Sequence, residues 1–161
     1  MKSQSGFTLI EMVAVIIILA IMAATALPRF ANLSTEARLS SVNGLAGGLR
    51  SAVALTKAKW LVANSANLAT VDMNGQTVGV ISAATASPMS STANLGIPLT
   101  DSTSNGIFLA LDAFSGYESG KTATGSYAFF PTGVASSAGC WAEYVSNTGN
   151  VVVSATAATC S

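Results

Sequence analysis

A single carboxylate, Glu11, interrupts an otherwise apolar run at residues 7–27. A helix of that length spans about 30 Å, the thickness of the hydrocarbon core of a bilayer. A carboxylate inside such a span costs about 2.5–3.5 kcal/mol on translocon scales, so it needs a cationic partner. The residue type and its position therefore predict a functional role for Glu11 rather than an ordinary surface charge.

The two cysteines of the chain, Cys140 and Cys160, lie near its C-terminus. They are too few and too far apart for a zinc site or a haem-attachment motif. A turn predicted at residues 147–150 would place both of them near the open end of a hairpin. A disulfide across about twenty residues would contribute ~3 kcal/mol in the chain-entropy model. The alternative is two buried thiols, which an oxidising compartment disfavours.

The remaining titratable residues form no catalytic or metal-binding pattern. The chain has no histidine, and seven basic residues balance seven acidic ones, so no charge excess points to nucleic acid. Three acidic residues, Asp101, Asp112 and Glu118, could supply carboxylates to a calcium ion, but their spacing matches no calcium-binding loop. With Asp72 and Glu143 they are expected to be solvated surface charges. We therefore expect no enzymatic activity, no cofactor and no metal site.

The apolar run continues into a second helical segment. After Pro28, where a kink is expected, apolar residues recur at mostly three- or four-residue steps. This pattern predicts a membrane-spanning half at residues 7–28 and an amphipathic half at residues 29–63. Its apolar positions are Phe30, Leu33, Ala37, Val42, Leu45, Leu49, Val53 and Trp60. Gly44, Gly47 and Gly48 weaken the helix, and close packing against a neighbour is favoured over flexibility as their role.

Residues 64–161 read as a small β-rich head. Asn74-Gly75 is a strong hairpin signal between predicted strands at 70–73 and 76–81. Residues 82–105 read as a long surface loop, and 107–114 as a short helix capped by Thr103 or Ser104. Further strands are predicted at residues 127–130, 140–146 and 151–156. The fold class is therefore α+β, with one long N-terminal helix packed on a small antiparallel sheet.

The start of the chain carries a specific motif. Residues 6–11 read GFTLIE and follow a short segment, residues 1–6, that contains Lys2. This arrangement resembles the prepilin processing motif of type IV pilins. The resemblance implies cleavage after Gly6 by a membrane peptidase, which then methylates the new N-terminal residue, Phe7. Residues 27–38 and 43–45 are also similar, more loosely, to pilins of the mannose-sensitive haemagglutinin (MSHA) group.

Composition alone leaves another processing route open. A secretory signal peptide would be cut after the apolar run, where Ala23, Ala24 and Ala26 supply small residues. The run is longer than an ordinary signal-peptide core, and it contains a carboxylate.

The pilin resemblance implies the function and the partners. The precursor would be held in the inner membrane of a Gram-negative bacterium and then polymerised by the pilus assembly machinery into an extracellular filament of identical subunits. In such filaments Glu11 would meet the amine of Phe7 in a neighbouring subunit, and a C-terminal disulfide loop is common. The filament would support adhesion, surface attachment or motility, and the sequence indicates no surface ligand.

Two other function classes fit parts of the sequence. A pseudopilin of a type II secretion system would share the leader, the helix and Glu11, but would build a short periplasmic fibre. A signal-anchored periplasmic domain would not polymerise, and it would gain nothing from an unpaired carboxylate in its anchor. Filaments on the surface of intact cells distinguish the pilin from both.

Overall fold

The computed structural model describes residues 6–63, 67–83, 94–100, 106–111, 115–122 and 125–161. In these residues one helix, α1 (Leu9–Val62), precedes six strands. The strands are β1 (Thr70–Met73), β2 (Gln76–Gly79), β3 (Tyr117–Lys121), β4 (Tyr127–Pro131), β5 (Trp141–Val145) and β6 (Asn150–Ser154). A 3-10 turn, Ser136–Ala138, lies between β4 and β5. The predicted α+β fold, a long N-terminal helix with antiparallel sheet, is confirmed.

Helix α1 comprises 54 residues and continues through Pro28, so the proline does not end it. The kink expected at Pro28 stays a prediction, which the path of the helix in a filament map would test. Thr8 caps the N-terminus of the helix, and Lys59 lies in its last turn, where a cation is favourable to the helix dipole.

The second half of α1 packs one face on the head. Its buried positions are Val42, Leu45, Ala46, Leu49, Ala52, Thr56 and Trp60. The predicted apolar face is thus confirmed from Val42 onward. At Leu33 and Ala37 the expectation is wrong, because Leu33 is 61 % exposed and Ala37 is also exposed. The head covers neither side chain, although Arg38, the residue after Ala37, reaches the Cys160 carbonyl. The side chain of Phe30 lies outside the described part of the structure.

The predicted hairpin of β1 and β2 is present. Val71 pairs with Val78, and the turn between the strands contains Asn74 at φ 53° and Gly75 at φ 80°. Two successive residues with positive φ are the requirement of a type I′ turn, which explains why Asn-Gly stands there. An isolated bridge between Val80 and Pro98 extends this hairpin towards the following loop.

The larger sheet is an antiparallel meander with the strand order β3-β4-β5-β6. Alternate residues of its two central strands, Tyr127 and Phe129 on β4 and Ala142 and Tyr144 on β5, are buried in the same cluster as the helix residues. Burial raises the pKa of the Tyr144 hydroxyl, which therefore stays protonated and donates to the Pro98 carbonyl oxygen. Ala128 and Phe130 on β4 and Trp141 and Glu143 on β5 take the alternate positions, on the other face of the sheet.

Three predictions for the head need correction. The sequence predicts no strand at β3, because Glu, Gly and Lys are prominent in it and have low strand propensity. The strand forms there because its backbone pairs with β4. The short helix predicted at residues 107–114 is wrong for residues 107–111, which form successive turns. In these turns Leu109 N–H donates to the Gly106 carbonyl and Ala110 N–H to the Ile107 carbonyl. Thr103, Ser104 and residues 112–114 lie outside the described residues.

The third correction concerns the predicted surface loop at residues 82–105. In its described part, Ile97 is only 3 % exposed and Pro98 is fully buried. Main-chain hydrogen bonds join this segment to the end of β2, with Ile81 N–H donating to the Ile97 carbonyl at 2.9 Å and Leu99 N–H to the Gly79 carbonyl at 2.9 Å. Residues 94–100 therefore belong to the core of the head.

Candidate assembly site

Glu11 closes a capping box with Thr8 at the start of α1. The carboxylate Oε2 accepts from the Thr8 main-chain N–H at 2.7 Å and from the Thr8 hydroxyl at 2.8 Å. In return the Thr8 hydroxyl oxygen accepts from Glu11 N–H at 3.4 Å. The first N–H groups of a helix have no partner within it, and this reciprocal arrangement satisfies two of them. It also fixes the carboxylate at the N-terminal end of the helix.

The residues predicted for processing and assembly lie together. Gly6, Phe7, Thr8 and Glu11 line one hollow of about 280 Å³. Cleavage of the Gly6–Phe7 bond would free an amine at the rim of this hollow. Thr8 is the member that sequence reasoning missed, although Thr-x-x-Glu before an apolar run is a readable capping-box signature. The Phe7 side chain is 83 % exposed, so this chain leaves it uncovered.

The apolar span that follows has no cover from the rest of the described chain. Leu9–Ala26 is an 18-residue stretch with a mean hydropathy of 2.6, long and apolar enough to cross a membrane, and none of it is buried. Ile10 is 76 % exposed and Met22 is 63 % exposed. An apolar surface of this extent marks contact with lipid or with another protein.

The predicted disulfide is present in the head, beside the middle of α1. Cys140 and Cys160 are bonded, with a Cα–Cα distance of 5.0 Å, and both are buried. The β5–β6 turn lies at residues 146–149, one residue before its predicted position. A guanidinium nitrogen of Arg38 donates to the Cys160 carbonyl at 3.3 Å, which joins the disulfide loop to α1.

Removal of this disulfide should weaken the head. Replacing both Cys140 and Cys160 with alanine is expected to lower the free energy of unfolding by about 3 kcal/mol, because the unfolded chain loses a constraint across about twenty residues. Guanidinium unfolding of the detergent-solubilised chain, followed by fluorescence of Trp60 and Trp141, measures this change. An unchanged midpoint, or free thiols in unreduced wild-type protein, would contradict the assignment of a structural bridge.

The described acidic residues form no metal site. Among the residues that the structure describes, no group of three or more His, Cys, Asp or Glu side chains is placed to hold a metal ion. Asp101 and Asp112, two of the three acidic residues that could supply carboxylates to calcium, lie outside the described residues. Asp72 instead accepts from Gly75 N–H at 3.3 Å, as a turn residue. Glu143 accepts from the Thr122 hydroxyl at 3.1 Å on the sheet.

Comparison with known proteins finds a family motif in the N-terminal region. Residues 1–27 match the family model described as the prokaryotic N-terminal methylation motif. This chain is similar to type IV pilins. It is 40 % identical over 86 residues to the fimbrial protein EcpC of Eikenella corrodens, covering 50 % of this chain and 56 % of that protein.

Two further relatives agree with this result. The type IV narrow pilus major component PilA5 of Thermus thermophilus is 46 % identical over 50 residues, which cover 31 % of this chain and 43 % of that protein. The fimbrial protein of Moraxella nonliquefaciens is 40 % identical over 57 residues, 35 % of this chain and 37 % of that protein. The pilin-like chain thus spans about half or less of the length of these relatives. No solved structure matches it, and the finer similarity to the MSHA group stays a prediction.

Proposed function

We propose that this chain is a structural subunit of a type IV pilus, cleaved after Gly6, methylated at Phe7 and polymerised through its apolar helix. The observation that carries the proposal is the apolar span Leu9–Ala26, none of which is buried, with the Thr8–Glu11 capping box at its start. The pilus and fimbrial names of the relatives support a surface filament over a secretion-system pseudopilin.

The free energy of burial favours a polymer once the chain leaves the membrane. Exposing the span to water uncovers an apolar area on the order of 2,000 Å², at a cost of tens of kcal/mol at about 25 cal/mol per Å². A bundle of the same helices removes that area from water. A repeated contact that does not close on itself produces an open filament rather than a ring. Ala14, Ala20, Ala23 and Ala24 permit close approach of neighbouring helices in such a bundle.

The charge of Glu11 gives that bundle a register. An unpaired carboxylate among apolar helices is unfavourable, and the amine released by cleavage before Phe7 of a neighbouring subunit neutralises it. The capping box holds Glu11 through one carboxylate oxygen, Oε2. The carboxylate stays exposed on the surface of the single chain, where a neighbour reaches it. The axial spacing of subunits then follows from the position of this pair.

The proposed function as a pilus subunit implies the partners of the chain. Residues 1–6 act as the leader, and a prepilin peptidase and methyltransferase is the first partner. The precursor sits in the inner membrane of a Gram-negative bacterium until the pilus assembly machinery adds it to a homopolymer outside the cell. Adhesion, surface attachment or motility is the role of the resulting filament.

A second exposed face of α1 supports contact between subunits. Gly44, Gly47 and Gly48 are exposed, and a Cβ atom built at each of them would meet no atom within 4 Å. Packing on the chain's own head therefore does not require glycine at these positions. On the later turns of the helix Leu55 is 60 % exposed and Val62 is 86 % exposed. We infer that a neighbouring subunit, rather than the head, approaches the glycine positions closely.

Substitution of the glycines tests this inference. Gly44→Ala with Gly47→Ala should raise the free energy of unfolding by about 0.5–1 kcal/mol per site, because alanine is the better helix former and finds open space. The same variant should yield fewer filaments, since the added methyl groups hold the neighbouring subunit away. Unfolding in detergent and the amount of sheared filament measure the two effects. A stabilised variant with a wild-type filament yield would remove these glycines from the interface.

Sedimentation of surface material tests the proposed function as a whole. Cells that express the full chain with a pilus assembly system are sheared, and the released material is centrifuged without detergent. We expect the chain in the pellet as filaments that are visible by electron microscopy. A chain that is exported and folded, yet recovered entirely with the membranes, would refute polymerisation and leave the signal-anchored domain.

A further inference from the structure

The two edges of the four-stranded sheet differ in their charges. Within the described part of the chain, β3 forms one edge and β6 the other. An open edge offers main-chain groups to a strand of another molecule, and charged side chains on the edge strand discourage such pairing. Strand β3 contains Glu118 and Lys121, whereas β6 reads NVVVS and contains no charge. Because successive valines also favour strands, β6 is the edge that its own sequence protects less.

The hydrogen-bond pattern of the sheet shows which main-chain groups of β6 face outward. Thr132 N–H donates to the Gly116 carbonyl oxygen at 3.0 Å, in line with the register of β3 and β4. Hydrogen-bonded pairs alternate along an antiparallel ladder, so a residue that bonds to one neighbouring strand turns its main-chain groups away from the other. Carried through the registers of β4, β5 and β6, this alternation directs the even-numbered residues of β6 towards β5. Val151 and Val153 therefore direct their N–H and C=O groups outward.

Arg50 of α1 reaches this outward edge. Its guanidinium donates to the Val151 carbonyl oxygen at 3.1 Å, which agrees with an outward-facing Val151. The adjacent Leu49 is fully buried in the head, so the position from which the Arg50 side chain extends is fixed. A strand that added to β6 would have to displace the guanidinium or enclose its charge. An enclosed charge without a partner is costly, and this cost opposes the addition of a strand.

The strand that matches this edge is β6 of a second molecule. Its sequence is nearly symmetrical, with a short polar residue at each end, Asn150 and Ser154, and valines between them. Antiparallel pairing about Val152 would set Val151 opposite Val153 of the second copy, and these are the two residues whose main-chain groups face outward. Such a contact has two-fold symmetry, so it closes as a dimer and does not extend further.

We propose that the outer edge of β6 is a pairing surface for β6 of a second copy of this chain, and that Arg50 keeps this surface closed. Arg50 thereby keeps the heads of crowded subunits separate. The paired state would use neither the apolar span nor Glu11. The proposal therefore does not depend on polymerisation, and loss of filaments would leave it intact.

A cysteine on the two-fold axis detects the pairing. Val152 is 48 % exposed. Two copies paired about it would hold their Cα atoms at this position about 4.5 Å apart, within the reach of a disulfide. The full chain with Val152→Cys is solubilised in detergent, mildly oxidised and separated on a non-reducing gel. We expect Arg50→Leu to raise the covalent dimer about tenfold or more, because leucine removes the charge and retains the helix, and Arg50→Lys to leave it low.

Asn150→Cys is the matched control for the register. Asn150 is exposed and lies on the same face of β6 as Val152, since side chains alternate along a strand. Pairing about Val152 would separate the two copies of this position by about 13 Å along the strands. Combined with Arg50→Leu, Val152→Cys should therefore give the covalent dimer and Asn150→Cys should not. All of these variants retain the apolar span, so association through the span contributes equally to each. Equal dimer from the two cysteine variants would overturn strand pairing.

Two further measurements separate protection of the edge from attachment of α1 to the head. The hydrogen bond of Arg50 lies on the surface, so Arg50→Leu should leave the midpoint of guanidinium unfolding close to that of wild type. Val153→Pro removes an outward N–H, so it should preserve the sheet and abolish the dimer of Arg50→Leu with Val152→Cys. A dimer that persists with Val153→Pro, or that appears only where the midpoint has fallen, would refute the proposal. Equal dimer with and without Arg50→Leu would show that Arg50 does not close the edge.

Discussion

Glu11→Ala should lower the yield of sheared filaments about tenfold or more, while export, cleavage after Gly6 and folding of the head remain as in wild type. Removing one partner of a buried ion pair typically costs about 3–5 kcal/mol, and about 1.4 kcal/mol already changes an equilibrium tenfold. In the variant the amine of a neighbouring Phe7 is left without its carboxylate in the filament interior. The head is unaffected because the hydrogen bonds of Glu11 reach only Thr8.

A glutamine variant separates the charge of Glu11 from its capping role. Glutamine retains the shape and the acceptor of a capping box, so Glu11→Gln preserves the start of α1 but removes the charge. Processing is followed by the mobility of the subunit on a gel, and filaments by centrifugation of sheared material. We expect few filaments in both variants. Wild-type piliation in Glu11→Ala would end the assembly role, and wild-type piliation in Glu11→Gln alone would reduce Glu11 to a helix cap.

Gly96→Ala should be among the most damaging single substitutions in the head. Gly96 has a φ of +79°, and a Cβ atom there would lie 2.8 Å from the ring of Trp60. The left-handed conformation costs a non-glycine residue about 1–2 kcal/mol, and overpacking of a core adds about 1–3 kcal/mol. Trp60 cannot move away easily, because it packs against Val71 and Val80 and its indole N–H donates to the Leu68 carbonyl at 3.1 Å. The sum is a loss of about 3 kcal/mol.

Gly133→Ala is the matched control for this substitution. Gly133 has a φ of +84°, but a Cβ atom there would meet nothing within 4 Å. This variant should therefore lose only the conformational part, about 1 kcal/mol. Guanidinium unfolding of the two variants in detergent gives the difference that is due to the Trp60 contact. Equal losses in Gly96→Ala and Gly133→Ala would show that the ring gives way and that the contact has no energetic role.

Sequence patterns predict a structural feature correctly where that feature depends only on residues that are neighbours along the chain. Asn74-Gly75 predicts its own turn because the turn needs positive φ, and the periodicity of α1 predicts Val42 and Leu49 as buried. The position at which the head begins to cover the helix is a tertiary property, and the prediction consequently failed at Leu33. The predictions missed strand β3 and the burial of Ile97 for the same reason, because both features depend on residues that are distant in the sequence.

The assembly site and the outer edge of β6 differ in the same way. Gly6, Phe7 and Glu11 are readable from the sequence because they are close neighbours along one helix end, and the capping box adds Thr8 by a spacing rule. The main-chain groups that face outward on β6 are set by the registers of three other strands, and a shift by one residue would turn the other set outward. The hydrogen bond between Arg50 and Val151 joins residues 101 positions apart in the sequence.

The intact mass and N-terminal residue of the subunit in sheared filaments test whether this chain is a processed pilus subunit. We expect filaments in which the chain begins at Phe7, carries one methyl group on its amine and retains the Cys140–Cys160 bond. That result would show that the same molecule had been processed, had left the membrane and had polymerised. A mature chain that begins after Ala24 or Ala26 would contradict polymerisation through the apolar span, because it would lack that span and Glu11 and would be an ordinary secreted protein.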